Sequence, residues 1–384
     1  MSPPPLGLYV HLPWCERKCP YCDFNSHEAD TIPETRYVDA LLRDLDADLP
    51  QVAGRSVETV CIGGGTPSLF SGKAIAALMR GIAERVPLAP DFEATMEANP
   101  GSAEAEKFAA FRDAGVNRLS VGVQSFSNAE LQALGRVHNA EQAHRALEYA
   151  RTAKFNSINI DLMHGLPGQG VSGAAADLCA AINHTPEHIS WYQLTIEPNT
   201  VFFKRPPALP VEDALADIQE GGETNLSTNG YTQYEVSAYS KDGYRCRHNL
   251  NYWHFGDYLG IGAGAHAKLT LADGEVRRYH KRRQPGEYMA SVAGEFVAGS
   301  RQLAKDDLVG EFMLNALRLN NGFSMDLFEA RTHCDSGAVA PTIESLQERG
   351  LLQLEGRRVS TTARGRNFLN DVLAQFLPDG SMLD

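Results

Sequence analysis

The chain has 384 residues, 43% of them hydrophobic, and a formal net charge of −13 from 35 Lys and Arg against 48 Asp and Glu. That length exceeds one ordinary domain unless part of it is an α/β barrel, so a large unit and a smaller one are expected. The acidic balance gives no net attraction to nucleic acid or to an anionic membrane surface.

No apolar run reaches the roughly 20 residues that a membrane helix needs. The opening MSPPPLGLYV has neither a basic stretch nor a long apolar one, so the expectation is a cytoplasmic protein with no integral membrane segment. Short β-rich runs at 7–12, 57–62, 92–98, 117–123, 157–162 and 188–194 alternate with stretches at 33–49, 72–85, 103–114, 128–151 and 173–183, whose apolar residues recur every three or four positions. Strand alternating with helix predicts an α/β fold with a parallel sheet and outer helices. Special residues follow the strands: cysteines after the first, then GGGTP, EANP, GVQSF and DLMHGLP after the next four. Ligand sites of parallel α/β folds gather at the carboxyl ends of strands, so the five groups point to one shared site, although each alone is ordinary turn chemistry.

From about Arg301 the pattern becomes helix, loop, helix, the hairpin-like LLQLEGRRVSTT and a closing helix over 364–376, a winged-helix-like layout. With nine Lys and Arg against twelve Asp and Glu, this segment suits protein contact or a substrate cap better than DNA. The expected division is 1–240 as a barrel, 241–300 as an extension and 301–384 as a C-terminal unit.

Seven cysteines, at 15, 19, 22, 61, 179, 246 and 334, form an odd set with three packed into eight residues. That pattern reads as metal ligation rather than a disulfide framework. A structural zinc site wants four ligands, commonly as two separated pairs, and no second pair matches Cys15-Glu-Arg-Lys-Cys19-Pro-Tyr-Cys22. Three thiolates suit a [4Fe–4S] cluster with one iron left open, whereas electron-transfer clusters use four.

The C-x3-C-x2-C spacing resembles the signature of the radical S-adenosylmethionine (SAM) superfamily. The resemblance implies a partial (β/α)6 radical SAM barrel, with the cluster on Cys15, Cys19 and Cys22 and SAM on the open iron. It also implies SAM contacts from Gly64, Gly65 and Thr66 of GGGTP, whose amides are expected to be exposed, from Glu97 and Asp161 after the third and fifth strands, and from Gln124 and Arg136 in VGVQSFSNAELQALGRVH. Tyr9 and Tyr21 occupy family contact positions as well. Read without the resemblance, Arg136 is a solvated helix-face charge, Glu97 and Asp161 are caps and turn formers, and the tyrosines are packing.

Over nearly the whole chain, from LYVHLPWC to the C-terminal unit, the similarity is to the oxygen-independent coproporphyrinogen III oxidase group. Two functions share that architecture. The oxidase, or dehydrogenase, decarboxylates coproporphyrinogen III and carries a fourth cysteine two positions beyond the third; here that position is Phe24. The continuation CDFNSH and the run His248-Asn249-Leu250-Asn251-Tyr252-Trp253 instead resemble the heme chaperone branch, with its H-N-x-x-Y-W pattern. Imidazole is a natural axial ligand of heme iron and aromatic rings offer flat faces to a macrocycle, so His248 is the candidate heme ligand. Cys246 beside it reads either as a second iron ligand or as a small buried residue. No catalytic residue is singled out. The implied partners are heme, acceptor hemoproteins and an electron donor for the cluster. Monomer and homodimer stay open, as does peripheral membrane contact through a protein partner. In GDYLGIGAGAHAK the glycine-rich stretch between Gly260 and Gly264, with His266 at its end, reads as a close-packed turn near the barrel mouth. Of the rivals, a radical SAM enzyme acting on RNA needs a basic surface, and a structural iron–sulfur protein has no use for GGGTP, Glu97 and Asp161.

Overall fold

The computed structural model describes residues 3–52, 54–292 and 294–377; residues 378–384 of the expected C-terminal unit lie outside them. Strand β1 (Leu6–Leu12) leads into the cysteine loop, which holds two short parallel-paired strands, β2 (Trp14–Cys15) and β3 (His27–Glu28). Then come α1 (Glu34–Val52), β4 (Val57–Gly64), α2 (Gly72–Ala83), β5 (Leu88–Ala98), α3 (Ala105–Asp113), β6 (Arg118–Gln124), α4 (Asn128–Ala133), α5 (Ala140–Thr152), β7 (Ser157–His164), α6 (Val171–Asn183) and β8 (His188–Gln193). Strands β1, β4, β5, β6, β7 and β8 pair in that order, all parallel.

Alternate side chains on these strands meet two different environments. Leu8, Val10, Val60, Ile62, Met96, Leu119, Val121 and Ile160 are buried in one apolar cluster, each worth roughly 1.5–3 kcal/mol by burial. The residues between them, such as Cys61, Thr95, Glu97, Arg118, Ser120 and Asp161, line a cavity instead. A period of two is what a strand needs when one face meets the helices and the other a polar interior. Helix α1 answers with Tyr37, Val38, Leu41 and Leu45, buried at helical spacing.

The stretch expected as one helix over 128–151 is two. Gly135, at φ 68, ends α4: its amide bonds Gln132 O and the Arg136 amide bonds Leu131 O, the pairing of a Schellman stop. Asn139 then starts α5 with a capping box to Gln142. The closing helix is likewise broken, at Phe368, whose φ −115 and ψ 36 are not helical, next to the weak helix formers Gly365 and Asn367.

After α7 (Val201–Lys204) and α8 (Glu212–Thr228), the antiparallel strands β9 (Thr232–Glu235) and β10 (Ala238–Ser240) extend the β8 edge. Helix α9 (Arg247–Trp253) precedes β11 (Asp257–Ile261), which pairs parallel with β1 at the opposite edge. Strands β12 (His266–Thr270), β13 (Val276–Lys281) and β14 (Val297–Gln302), with α10 (Pro285–Ala290) before the last, continue it antiparallel. The result is one 12-stranded sheet, β14-β13-β12-β11-β1-β4-β5-β6-β7-β8-β10-β9. Beyond it, α11 (Lys305–Ala316), β15 (Phe323–Ser324), α12 (Met325–Thr332), α13 (Ala340–Glu348), β16 (Leu352–Glu355), β17 (Arg358–Thr361), α14 (Ala363–Asn367) and α15 (Leu369–Ala374) enclose a second apolar cluster around Phe312, Phe328 and Val359.

A buried ion cluster fastens β13 to α1. Lys281 Nζ donates to Asp44 at 2.5 Å and to Asp48 at 2.8 Å, and the Tyr288 and Tyr279 hydroxyls donate to the same two carboxylates. Replacing Lys281 by Met strands both carboxylates, so Lys281→Met is expected to cost about 3–5 kcal/mol in urea unfolding at pH 7. Adding Asp44→Asn and Asp48→Asn should restore part of that loss.

Candidate functional site

The three clustered cysteines lie at the carboxyl ends of the parallel strands and all line one cavity of ≈ 330 Å³. The loop is held from both sides. The Gly65 amide donates to Leu12 O and the Thr66 amide to Trp14 O, while a Cβ at Gly65 would stand 2.5 Å from Trp14 O and 3.0 Å from Cys15 Sγ. Only glycine lets the end of β4 press this close to the cysteine loop. Thr66 Oγ1 donates to Cys15 Sγ at 3.5 Å, and Arg136 Nη1 reaches Cys19 Sγ at 3.6 Å. Burial pushes the Cys15 and Cys22 thiols up, so metal binding there must displace protons. Among the described residues no three His, Cys, Asp or Glu side chains converge as a single ion requires. Three free thiols on one loop, facing one cavity, are the donor set that a [4Fe–4S] cluster with one open iron would use.

Most of the expected SAM-contact residues meet in the same cavity: Tyr21, Gly64, Gly65, Thr66, Glu97, Gln124, Arg136 and Asp161 all line it. The stop at Gly135 takes Arg136 off the helix face, and its Nη2 donates to Gly122 O at 2.9 Å while Nη1 reaches the Tyr21 hydroxyl at 3.5 Å. Gln124 sits at φ 69, a left-handed conformation rare for a residue with a side chain, at an irregularity in the β6–β7 register. Its Oε1 accepts from the Tyr192 hydroxyl at 2.8 Å. Asp161 accepts from Ser120 Oγ at 2.8 Å and Asn159 Nδ2 at 2.7 Å, yet burial still raises its pKa. Burial, with Asp161 nearby, pushes the Glu97 carboxyl up to about 7.

Three expectations change. The amides of GGGTP are not exposed: the Gly64 amide donates to Glu97 Oε2 at 3.2 Å, and those of Gly65 and Thr66 are used by the cysteine loop as above. Tyr9 lines not this cavity but a neighbouring one of ≈ 400 Å³, shared with His11, Phe24, Tyr258, Gly264 and His266; the two have Phe24, Gly64 and Glu97 in common. His248, the candidate heme ligand, is a buried helix residue. It lies in α9, 1% exposed, with Nδ1 2.8 Å from Thr59 Oγ1 and Nε2 2.8 Å from the Tyr252 hydroxyl. Both ring nitrogens that heme iron could use are therefore engaged, and burial lowers the imidazole pKa to about 4.

Helix α9 thus plugs the amino-terminal end of the barrel, opposite the cysteine loop. Its anchor is Glu93, which accepts from the Arg247 and His248 amides at 3.1 Å each and from Cys246 Sγ at 3.6 Å. Cys246 and Asn249 reach the cavity from below, and Cys61, Thr95, Arg118, Ser120, Asn159, Ser190 and Tyr192 line its wall. The sequence reading missed these wall residues, and the signal was present: Arg118-Leu-Ser120-Val-Gly122-Val-Gln124 alternates polar with apolar. The site as a whole is a cavity with thiols at its mouth, three arginines and two buried carboxylic groups, suited to a small molecule that carries both signs of charge.

Comparison with known proteins agrees with this geometry. Residues 9–176 match the Radical SAM superfamily and residues 303–368 the HemN C-terminal domain. The chain is 48% identical to the heme chaperone HemW of Escherichia coli (strain K12), over 98% of this chain and 99% of that one. It is 46% identical to HemW of Haemophilus influenzae, with 98% and 99% covered. It is 38% identical to the mitochondrial radical S-adenosyl methionine domain-containing protein 1 of Mus musculus, with 97% and 87% covered. In fold it is similar to the coproporphyrinogen III oxidase HemN from Escherichia coli, with a TM-score of 0.82 at 24% identity over 97% of this chain and 90% of that one. No helix among the described residues is long and apolar enough to cross a membrane.

The raised Glu97 carboxyl has a measurable sign. Its folded pKa, about 7, exceeds the ordinary 4.5, so between those values the folded state binds the extra proton. Stability of the protein without cofactors should therefore fall as pH rises from 4.5 to 7, by about 1–3 kcal/mol, and level off above. Urea unfolding of Glu97→Gln across that range should show a shallower fall than the wild type, the remainder coming from other buried carboxyls, such as Asp44 and Asp177, whose pKa burial also raises.

Proposed function

Since the chain belongs to the HemW heme chaperone family of the radical SAM superfamily, we propose that it binds heme and hands it to acceptor hemoproteins, on a scaffold that holds a [4Fe–4S] cluster and SAM. The observation that carries this choice over coproporphyrinogen decarboxylation is Phe24. Where the oxidase group has a fourth cysteine, this chain has a side chain that is 64% exposed and borders both cavities. It offers neither a metal ligand nor an acid–base group.

In this reading Cys15, Cys19 and Cys22 hold the cluster, which when bound supplies an electron from an external donor and an open coordination position for SAM. Thr66 and Arg136 keep the thiol loop in place through Cys15 and Cys19. Glu97 and Asp161, with Gln124 and Tyr21 around them, take the polar groups of SAM, and the enclosing walls keep water out. A reducing cytoplasm suits three free cluster thiols.

His248 is the proposed heme ligand, and its present bonds set a condition on heme entry. A neutral imidazole is the ligating form, and the lowered pKa supplies it at pH 7. The Tyr252 and Thr59 hydroxyls must first release the ring, which requires α9 to shift from its seat on Glu93. Heme uptake is then slow relative to diffusion and sensitive to these two bonds.

The test is anaerobic titration of hemin into the cluster-loaded protein by absorbance, alongside an assay of coproporphyrinogen decarboxylation with SAM and a reductant. Saturable hemin binding without decarboxylation is expected, at least tenfold weaker in His248→Ala and with faster association in Tyr252→Phe. Decarboxylation by the wild type without specific hemin binding would overturn the chaperone reading. Unchanged hemin affinity in His248→Ala would remove only the ligand assignment. Cys19→Ser should lose the cluster absorbance while keeping the circular dichroism of the folded barrel, because that thiol sits in the loop and not in the core.

A further inference from the structure

The polar residues inside the barrel are paired with one another almost throughout, and the floor of the cavity holds an exception. Arg118 opens β6 and stands on its inner face below Ser120, Gly122 and Gln124. It is only 5% exposed, and its Nε is buried without a hydrogen-bond partner. Among the described residues no carboxylate comes within ion-pair distance of its guanidinium. Its acidic neighbours are occupied elsewhere: Glu93 accepts from the Arg247 and His248 amides, and Asp161 from Ser120 and Asn159. The nearby thiols do not help, since burial pushes Cys246 up to about 12 and raises Cys61 well above its ordinary range. A guanidinium withdrawn from water without an ion-pair or hydrogen-bond partner is costly, and folds that keep one generally provide a partner.

We propose that the floor of this barrel binds the carboxylate of a small organic acid, with Arg118 as its cation and Thr95 and Asn249 as flanking hydrogen-bond groups. The planar fork of a guanidinium matches a carboxylate in a bidentate pair. A dianion such as phosphate fits less well, because Glu93 and Asp161 lie close enough to act on Arg118 electrostatically and would repel the second charge. Size points the same way. The whole cavity, ≈ 330 Å³, is at the low end for ligand pockets, and its upper half is lined by the cysteines, Thr66, Gln124 and Arg136. The floor has room for a molecule of a few carbons and none for a porphyrin. Because Arg118 and the three thiols face one cavity, such an acid lies beside the group bound at the mouth, in the position of a substrate and not of a surface ion.

The experiment uses the cluster-loaded protein with SAM, kept anaerobic, and follows thermal unfolding against sodium propionate, with sodium phosphate and sodium chloride at matched ionic strength as the other arms. The wild type should show a saturable rise in its midpoint with propionate, exceeding both other salts. Arg118→Lys should keep a weakened response, and Arg118→Gln should show none while binding SAM as the wild type does in equilibrium dialysis. Equal propionate responses in wild type and Arg118→Gln, or a larger response to phosphate, would overturn the proposal. Loss of SAM by Arg118→Gln would overturn it too, because Arg118 would then serve SAM itself. Absence of SAM binding in the wild type would count against the reading of the mouth and leave the propionate comparison intact. Should Arg118→Gln fail to fold, crystals of the loaded wild type soaked in propionate decide. The acid seated on Arg118 supports the site, and Arg118 turned onto Glu93 or onto SAM rejects it.

Discussion

The structure depends on one requirement: polar groups that face the inside of a barrel have no bulk water to satisfy them, so each must find a partner within the wall. The chain meets it with a network that crosses from strand to strand. His188 stands 2.6 Å from Asn159 Oδ1 and 2.9 Å from the Tyr234 hydroxyl, and Asn159 in turn donates to Ser120 and Asp161. On the other side Glu93 gathers the start of α9, and Thr59 holds His248. The alternation along each strand and the position of α9 follow from this pairing. So does the shape of the cavity, which is what remains between the paired groups and the cysteine loop.

Much of this was legible in the sequence, for reasons that differ by element. The six parallel strands and most of their helices were visible because the period of two and the period near 3.6 report directly on which face is buried. The placement of the ligand-bearing loops at one end followed from the βα alternation. Arg136 was harder. Its segment reads as a continuous helix, and only the Schellman stop at Gly135 followed by the cap at Asn139 takes it into the cavity. Arg118 was overlooked because a charged residue at the start of a strand looks like a solvated end. Its burial depends on α9, more than a hundred residues later, closing the base of the barrel. For His248 the motif supplies the residue types that suit a macrocycle, but it carries no information on what the ring already touches.

In the proposed reading one barrel serves two ligands. The cysteine loop and α9 close opposite ends of the same barrel, and the strands between them carry Glu97 near one end and Glu93 near the other. Among the described residues Glu93 is the only carboxylate that both anchors α9 and acts electrostatically on Arg118. In the proposed heme-accepting state, α9 leaves that anchor, and Glu93 then has a free carboxylate beside an unpaired guanidinium. Pairing them would offset part of the cost of opening while closing the floor to a carboxylate ligand. An occupied floor would have the opposite effect: it engages Arg118, leaves Glu93 no alternative partner and so favours a seated α9. Heme at the base and a small acid on the floor would therefore compete through Glu93 without sharing a contact, which is the form that negative coupling between two sites takes.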